Sequence, residues 1–501
     1  MRLIAYELVA SGGGTAVALA CCCKSFEDPM LDALWVVQNR LLPLLKSFPG
    51  DVWNDPDECT VSTPTTCVFP FLNNLIQKSF KRLPTTAEWS RLQKYARRMR
   101  ELNDYGTLND LSPEVFSVMQ PHTINGLLLP NLNALYLVGI ERRFIPFISS
   151  FLSPRITSVF FEFSGPNNYK SAIASTITTL PTLCPNLQAI SLPFLPNDPM
   201  ITAAVSEMLL ATSRNTLRRL YIDSPLTEEA SGAVCKLPGL RDLRVVTEKE
   251  TSLPSALLPN LTELAIRCDD EGDWPRLFHG ATFGKLEIVW FSPRSKKIGD
   301  FLGAFERAAL SSSVQNTLTR FRISVPRSWI PNYSSLLPFT QMVDLDIDFS
   351  CRDECSSTVD DDIVINLSRA MPKLTVLQLG GYPCEEVMTG VTVKGLVALA
   401  LYCPKLSTLR VHLQVASLIV PPAGPGTGRN TEPSVSRTVC ALKELVVGKI
   451  SVPKESVLMM ALTLSRIFPR LKTIDAKKMV WAKVEDAIRH SKQIVDCSSK
   501  Q

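Results

Sequence analysis

A three-point motif, with apolar residues at positions 1, 4 and 6 of a short segment, recurs thirteen times between Leu132 and Ala476. The first positions are Leu132, Ile156, Leu187, Leu217, Leu240, Leu261, Leu286, Leu318, Met342, Leu374, Leu406, Leu442 and Leu471. Side chains of a strand point alternately to opposite sides, so anchors at positions 4 and 6 share one face and the residues around them share the other. Each copy therefore predicts a short strand with one buried edge. One such unit cannot bury that edge alone, so neighbouring units must stack.

The distance between successive first anchors runs from 21 residues (Leu240 to Leu261) to 36 (Leu406 to Leu442). A short unit has room for the strand and a brief return, while a long one can carry a helix. Apolar residues at helical spacing predict helices at Met200–Ser213, Ile298–Leu310, Asp362–Ala370, Val393–Tyr402 and Lys454–Ile467. A proline often stands two residues before the first anchor, as at Pro130, Pro185, Pro259, Pro372 and Pro404. It separates the returning helix from the next strand, because it lacks a donor and disfavours helix in the residue before it. Strand followed by helix, repeated in phase, predicts an α/β solenoid of irregular leucine-rich repeats over residues 126–480, with a Pro/Gly/Ser-rich loop inserted at 420–437. A doubly wound α/β domain also alternates strand and helix, but it does not keep the 1, 4, 6 phase. Neither Gly12–Gly14 nor Pro421–Gly428 has the spacing of a phosphate-binding loop.

Composition narrows the function classes. The 53 basic and 48 acidic residues give a net charge of +5, too even a balance to announce nucleic acid or an anionic membrane as partner. The 14 cysteines lie mostly beside apolar residues and read as reduced core thiols, which places the chain in the cytoplasm or nucleus. Cys351 and Cys355 have ligand-like spacing, but no second Cys or His pair stands near them, so no metal is expected. His122, His279, His412 and His490 are scattered with no nucleophile motif, so neither an enzymatic activity nor a cofactor is expected. No run of about 18 apolar residues suggests a membrane span. The opening MRLIAYELVASGGGTAVALACCCK is not read as a secretion signal, because Glu7 interrupts the first apolar run and Ser11–Gly14 breaks the segment in two.

The first 125 residues differ in character from the repeats. Residues 1–46 read as apolar helices, 47–125 as a helical linker or N-terminal cap, and 481–501 as a C-terminal helix and tail. Within Arg2–Trp35, an apolar helix, a loop, a second helix running into Cys23-Lys24-Ser25-Phe26 and a closing Leu34-Trp35 follow one another. This order resembles the later part of an F-box. Together with Leu31–Trp35, Leu41–Lys46 and the irregular repeats, it is similar to the F-box proteins with leucine-rich repeats of mushroom-forming fungi. That family's pattern begins with Leu-Pro or Ile-Pro plus Glu ahead of the first helix, so this F-box-like segment is expected to be N-terminally incomplete. The resemblance implies a substrate-recognition subunit of a cullin-based ubiquitin ligase. Leu3, Ile4, Leu8, Leu19, Phe26, Leu34 and Trp35 would dock a Skp-family adaptor. The other reading of the same residues is a helical cap on the first repeat, leaving a repeat scaffold that binds no adaptor.

On a leucine-rich arc, the residues between anchors face a partner on the concave side. There the sequence places Arg218, Arg219, Tyr221, Arg241, Arg244 and Arg267, then Trp290, Arg320 and Arg322, before the sign reverses at Asp344, Asp346 and Asp348. Arginines interleaved with aromatics hold carboxylates or phosphates by forked hydrogen bonds and by stacking, so an acidic or phosphorylated segment of a target protein is the expected partner.

Overall fold

The computed structural model describes residues 2–10, 14–54, 78–165, 169–212, 216–247, 257–268, 282–293, 301–312, 314–325, 331–349, 359–380, 390–414, 440–447, 456–475 and 481–489. The loop expected at 420–437 and the pair Cys351 and Cys355 lie outside these residues. The chain divides into two compact units, Met1–Leu240 and Arg241–Gln501.

The first unit opens with three helices, α1 (Arg2–Ala10), α2 (Gly14–Cys22) and α3 (Lys24–Trp35). They close around small residues, with Ala5, Ala16, Met30 and Ala33 buried and Leu8, Val9, Leu19, Phe26 and Leu34 packed against them. One residue after α3, strand β1 (Val37–Gln38) begins a parallel ladder. The ladder continues through β2 (Glu101–Tyr105), β3 (Ala134–Ile140), β4 (Ser158–Phe163), β5 (Ala189–Leu192) and β6 (Arg219–Pro225). Between these strands run α4 (Leu42–Leu45), α5 (Thr86–Ala96), α6 (Pro113–Met119), α7 (Lys170–Leu183), α8 (Pro199–Ala211) and, after β6, α9 (Glu228–Cys235). Helix α5 starts with a reciprocal cap: Thr85 Oγ1 accepts from the Glu88 amide and Glu88 accepts from the Thr85 amide.

Among the described residues, the second unit holds a nine-strand parallel ladder. Its strands are β7 (Asp242–Thr247), β9 (Glu263–Cys268), β11 (Ile288–Pro293), β12 (Arg320–Val325), β13 (Asp344–Phe349), β14 (Val376–Leu379), β15 (Thr408–Val411), β16 (Glu444–Val446) and β17 (Thr473–Asp475). The short strands β8 (Leu257–Leu258) and β10 (Thr282–Phe283) pair separately with each other. Helices α10 (Phe301–Ser311), α11 (Asp361–Ala370), α12 (Val393–Tyr402) and α13 (Val457–Ile467) make the returns. A last helix, 481–489, buries Trp481, Val484 and Ile488, and its Glu485 accepts from the Ile474 amide at 2.9 Å. That contact occupies an amide on the last strand, which would otherwise offer an open edge for pairing.

The anchors line up across the strands. Leu243 pairs with Leu264, Leu264 with Val289, Val289 with Phe321, Phe321 with Leu345, Leu345 with Leu377, Leu377 with Leu409 and Leu409 with Leu445. Each of these side chains is at most 1 % exposed. From Leu243 to Leu445 each position-4 anchor of the second unit thus sits against the next, and its core holds a continuous apolar row.

The prolines have a more specific place than a helix stop. In Cys184-Pro185-Asn186-Leu187, the Leu187 amide donates to the Cys184 carbonyl at 3.3 Å. The same bond closes Met371 to Leu374 at 3.2 Å, Cys403 to Leu406 at 3.1 Å and Phe468 to Leu471 at 3.1 Å. Proline is therefore the second residue of a tight turn, where its fixed φ is favourable. The residue before it is the helix C-cap, and its amide reaches back four residues to a buried leucine carbonyl: Leu180, Leu367, Leu399 or Leu464. The pattern Leu-x-x-x-(Cys, Met or Phe)-Pro-x-Leu encodes the whole helix-to-strand junction.

The ladder begins two strands before the first motif match. In β2, Met99 and Leu102 occupy positions 1 and 4, but position 6 is Asp104, 1 % exposed. Its carboxylate accepts from the amides of Leu41 (3.3 Å) and Leu108 (3.0 Å) and from the Thr107 hydroxyl (2.7 Å). A buried carboxylate is tolerable when donors surround it in this way.

Candidate functional site

Two surfaces carry the residues singled out by sequence. The first is the helical trio. Leu3 and Ile4 lie in the first half of α1, Leu8 and Leu19 are half-buried on α1 and α2, and Phe26, Leu34 and Trp35 are half-buried on α3. The structure brings Leu8, Leu19, Phe26 and Leu34 into one cluster. Trp35 leaves it and stacks on Tyr95 of α5, with ring centroids 4.8 Å apart and planes 21° from parallel.

The trio is braced through α3. Arg98, just beyond α5, ion-pairs with Asp28 at 2.5 Å and also with Asp32, one turn further along α3. Lys94 reaches Glu27 at 2.9 Å. Two carboxylates four residues apart face one guanidinium because that spacing puts them on the same side of a helix. Arg98→Ala is expected to loosen the trio by about 1–2 kcal/mol, leaving its partners without charge-assisted bonds. Faster amide exchange across α1–α3 with unchanged exchange in β3–β6 is the measurement that checks it. Outside the brace, Tyr6 and Val17 are 45 % and 50 % exposed.

The second surface is the outward side of the strands, which each unit builds separately. In the first unit, position 5 forms the register row Asn103, Tyr136, Phe160, Ser191 and Tyr221. The Tyr136 and Phe160 rings lie 6.4 Å apart. Arg219 is exposed at position 3 of the same strand as Tyr221, and Arg218 is exposed at position 2. Sequence reading picked out Tyr221 but missed Tyr136 and Phe160. Aligning the repeats by position 5 would have found them.

In the second unit, position 5 runs Arg244, Ala265, Trp290, Arg322, Asp346, Gln378 and Arg410. Position 3 runs Asp242, Glu263, Ile288, Arg320, Asp344 and Val376. Arg241, at position 2, falls in neither row, and Arg267 lies beyond them at position 7. The register sets two of the arginines expected to form a basic patch, Arg320 and Arg322, directly against the carboxylates of Asp344 and Asp346. Arg322 Nε binds Asp346 Oδ2 at 2.8 Å, and its guanidinium stands 5.0 Å from the centre of the Trp290 ring. Trp290 stays 38 % exposed.

The carboxyls here are more burdened than the arginines. Burial raises the pKa of Asp346 above the ordinary value, and repulsion from Asp348 and Asp344 adds to it, although Arg322 and Arg410 oppose the shift. Asp344 and Asp348 are raised by burial against nearby arginines, and Glu263 by burial with Asp242 adding to it. For Asp346 the ion pair does not offset desolvation, as is common for buried pairs. One oxygen of Asp344 and one of Asp346 are buried with no hydrogen-bond partner.

His412, at position 7 of the repeat that contains β15, is 4 % exposed and neither ring nitrogen has a partner. Its backbone is fixed: the carbonyl accepts from the Val391 amide at 2.8 Å. Gly380, with φ +123°, makes room for the ring, since a Cβ there would stand 3.0 Å from both Cδ2 and Nε2. Glycine is the residue that takes such a φ without strain. The Gly380 amide in turn donates to Ile347, the residue before Asp348.

No protein-family model matches the chain, and no curated protein matches it. Among the described residues, no helix is long and apolar enough to cross a membrane.

Proposed function

We propose that this chain is a non-enzymatic recognition subunit of a cullin-based ubiquitin ligase of the cytoplasm or nucleus. In this reading α1–α3 dock a Skp-family adaptor and the outward rows of the repeats hold the target protein. The observation that carries it is the placement of a compact helical trio directly before a long in-phase parallel ladder, with one residue, Val36, between α3 and β1. Bracing by Glu27, Asp28 and Asp32 keeps α3 against the unit and leaves apolar side chains of α1 and α2 facing outward.

A repeat scaffold without an adaptor is the second reading. It is favoured by the inward use of Phe26 and Leu34 and by the stacking of Trp35 on Tyr95, which make these residues part of a cap. Co-expression of the full chain with a Skp-family adaptor separates the two. The ligase reading expects co-elution, lost in the double variant Tyr6→Asp, Val17→Asp, whose exposed positions leave the packing intact. A wild-type chain that elutes alone removes the ligase reading and leaves the scaffold.

A further inference from the structure

The outward row of the first unit is a ladder of rings with one member missing. At position 5 it runs Tyr136, Phe160, Ser191 and Tyr221 on β3 to β6, each the register partner of the next. The Tyr136 and Phe160 rings, on adjacent strands, lie 6.4 Å apart, within the range in which aromatic rings attract. Phe160 and Tyr221 have β5 between them, which sets their backbones roughly 10 Å apart, since neighbouring strands are about 4.8 Å from each other. Ser191 fills the place between the two rings, and Ala189, two residues earlier on the same side, is also small. Phe160, Ser191 and Tyr221 are all partly exposed, so the gap opens to solvent. A ring entering over Ser191 stands one strand spacing from Phe160 and one from Tyr221, the arrangement that Tyr136 and Phe160 already show.

The charge beside this gap is positive and unpaired. Arg219 is the register partner of Ala189. Both it and Arg218 are exposed, with no ion pair or side-chain hydrogen bond among the described residues. Asp223, further along the same side of β6, is 7 % exposed and already engaged, its carboxylate accepting from the Phe194 amide at 3.3 Å. Phe194, just past the end of β5, has a left-handed backbone with φ +56°, rare for a bulky residue, and is 62 % exposed. Strained residues of this kind cluster at ligand clamps. Glu162, at position 7 of the repeat that contains β4, is the carboxylate at the opposite end of the gap from Arg219.

We propose that the gap over Ser191, between Phe160 and Tyr221, takes an aromatic side chain from an extended segment of the target protein, with a carboxylate two residues away on that segment held by Arg219. The proposal rests on the reading that the repeats hold a protein target. It keeps the acid expected from sequence, confines it to one residue in the first unit and adds the ring. Residues two apart in an extended chain lie on one side, about 7 Å from each other. Arg219 and Tyr221 are two apart on β6, so the spacing of ring and acid on the segment matches the spacing of their contacts. Glu162 repels a second acid at the far end, so the carboxylate belongs on the Arg219 side alone. Tyrosine and arginine are the residue types that dominate interface energetics, and a guanidinium grips a carboxylate with paired hydrogen bonds.

The test uses the full chain and dye-labelled seven-residue peptides followed by fluorescence anisotropy. The probes are Gly-Glu-Gly-Trp-Gly-Ser-Gly and its reverse, which cover both directions of the segment, with matched peptides carrying alanine for tryptophan or lysine for glutamate. One of the two Glu/Trp peptides is expected to bind at least about tenfold more tightly than its alanine and lysine counterparts, the scale of an interface anchor. Ser191→Trp fills the gap with the chain's own ring and should abolish that binding. Arg219→Glu, at an exposed position that leaves the packing intact, should reverse the preference from the glutamate to the lysine peptide, and it decides the matter if Ser191→Trp lowers thermal stability. Arg466→Glu, exposed on α13, should leave binding unchanged and so separates a site from general charge attraction. Equal binding of the alanine peptide, an unaltered preference in Arg219→Glu, or an equal loss in Arg466→Glu overturns the proposal, as does full binding by a folded Ser191→Trp chain. Tighter binding of the lysine peptide to the wild-type chain also overturns it while sustaining the target-holding reading. Binding of no peptide overturns the proposal, and adaptor co-elution, which depends on α1–α3, then still reports on the ligase reading by itself.

Discussion

Leu377→Ala is expected to lower the unfolding free energy by about 3–4 kcal/mol, the range for deleting a fully buried leucine whose surroundings cannot collapse. Leu377 is 0 % exposed on β14, with Leu345 on one side and Leu409 on the other. Both neighbours belong to the same row and are held by their own strand ladders, so neither can move inward to fill the gap. Gln378→Ala, one residue on and facing outward, is expected to change stability by less than about 0.5 kcal/mol. Denaturant titration of the two variants checks the contrast. Comparable losses would mean that the in-phase apolar row does not hold the second unit together.

His412→Leu is expected to raise stability by about 1 kcal/mol at neutral pH, because it removes a buried ring whose nitrogens have no partners. Its larger effect should appear in acid. Burial holds the His412 pKa below the ordinary histidine value. Above about pH 6.5 the folded and unfolded chains both carry a neutral ring, and the residue contributes no pH dependence. Below that, the unfolded chain takes a proton that the folded chain refuses, and stability falls by up to about 1.4 kcal/mol per pH unit until the folded pKa is reached. The leucine variant should lack this fall.

The acids of β13 run the other way. Their folded pKa values are raised, so the stability they contribute is complete below the unfolded value near 4 and is lost as pH rises through the folded values. Asp344→Asn should flatten that loss. Thermal unfolding of wild type and both variants between pH 4 and pH 8 resolves the two signs, and identical profiles would remove this account.

The anchors were legible in sequence because each repeat states its own phase, and the observed strand register pairs position 4 with position 4. Strands β1 and β2 were not, since β1 spans only Val37–Gln38 and β2 puts Asp104 where the motif asks for an apolar residue. Helix α7 was hidden by Pro181 within Lys170–Leu183. On the outward face, a linear reading does not show which side chains the register pairs. Arg322 and Asp346 occupy the same repeat position in adjacent units, so stacking the repeats as rows would have shown neutralisation where a linear reading showed a basic run followed by an acidic one. The burden on His412 could not be read at all, because it depends on the space left by Gly380 one strand away.

The proline turn that closes onto first anchors such as Leu187, Leu261, Leu374 and Leu406 has an evolutionary consequence. It resets the chain at the entrance to a strand, whatever distance the return has covered, so length is free to drift between one anchor and the next. Leu240 and Leu261 are 21 residues apart, Leu374 and Leu406 are 32 apart, each of the four is entered through such a turn, and the strands on either side of both intervals keep the same register. Insertions and deletions in such a gene can therefore reshape the returns while leaving the row positions unshifted, so the side chains offered to a partner change by substitution alone.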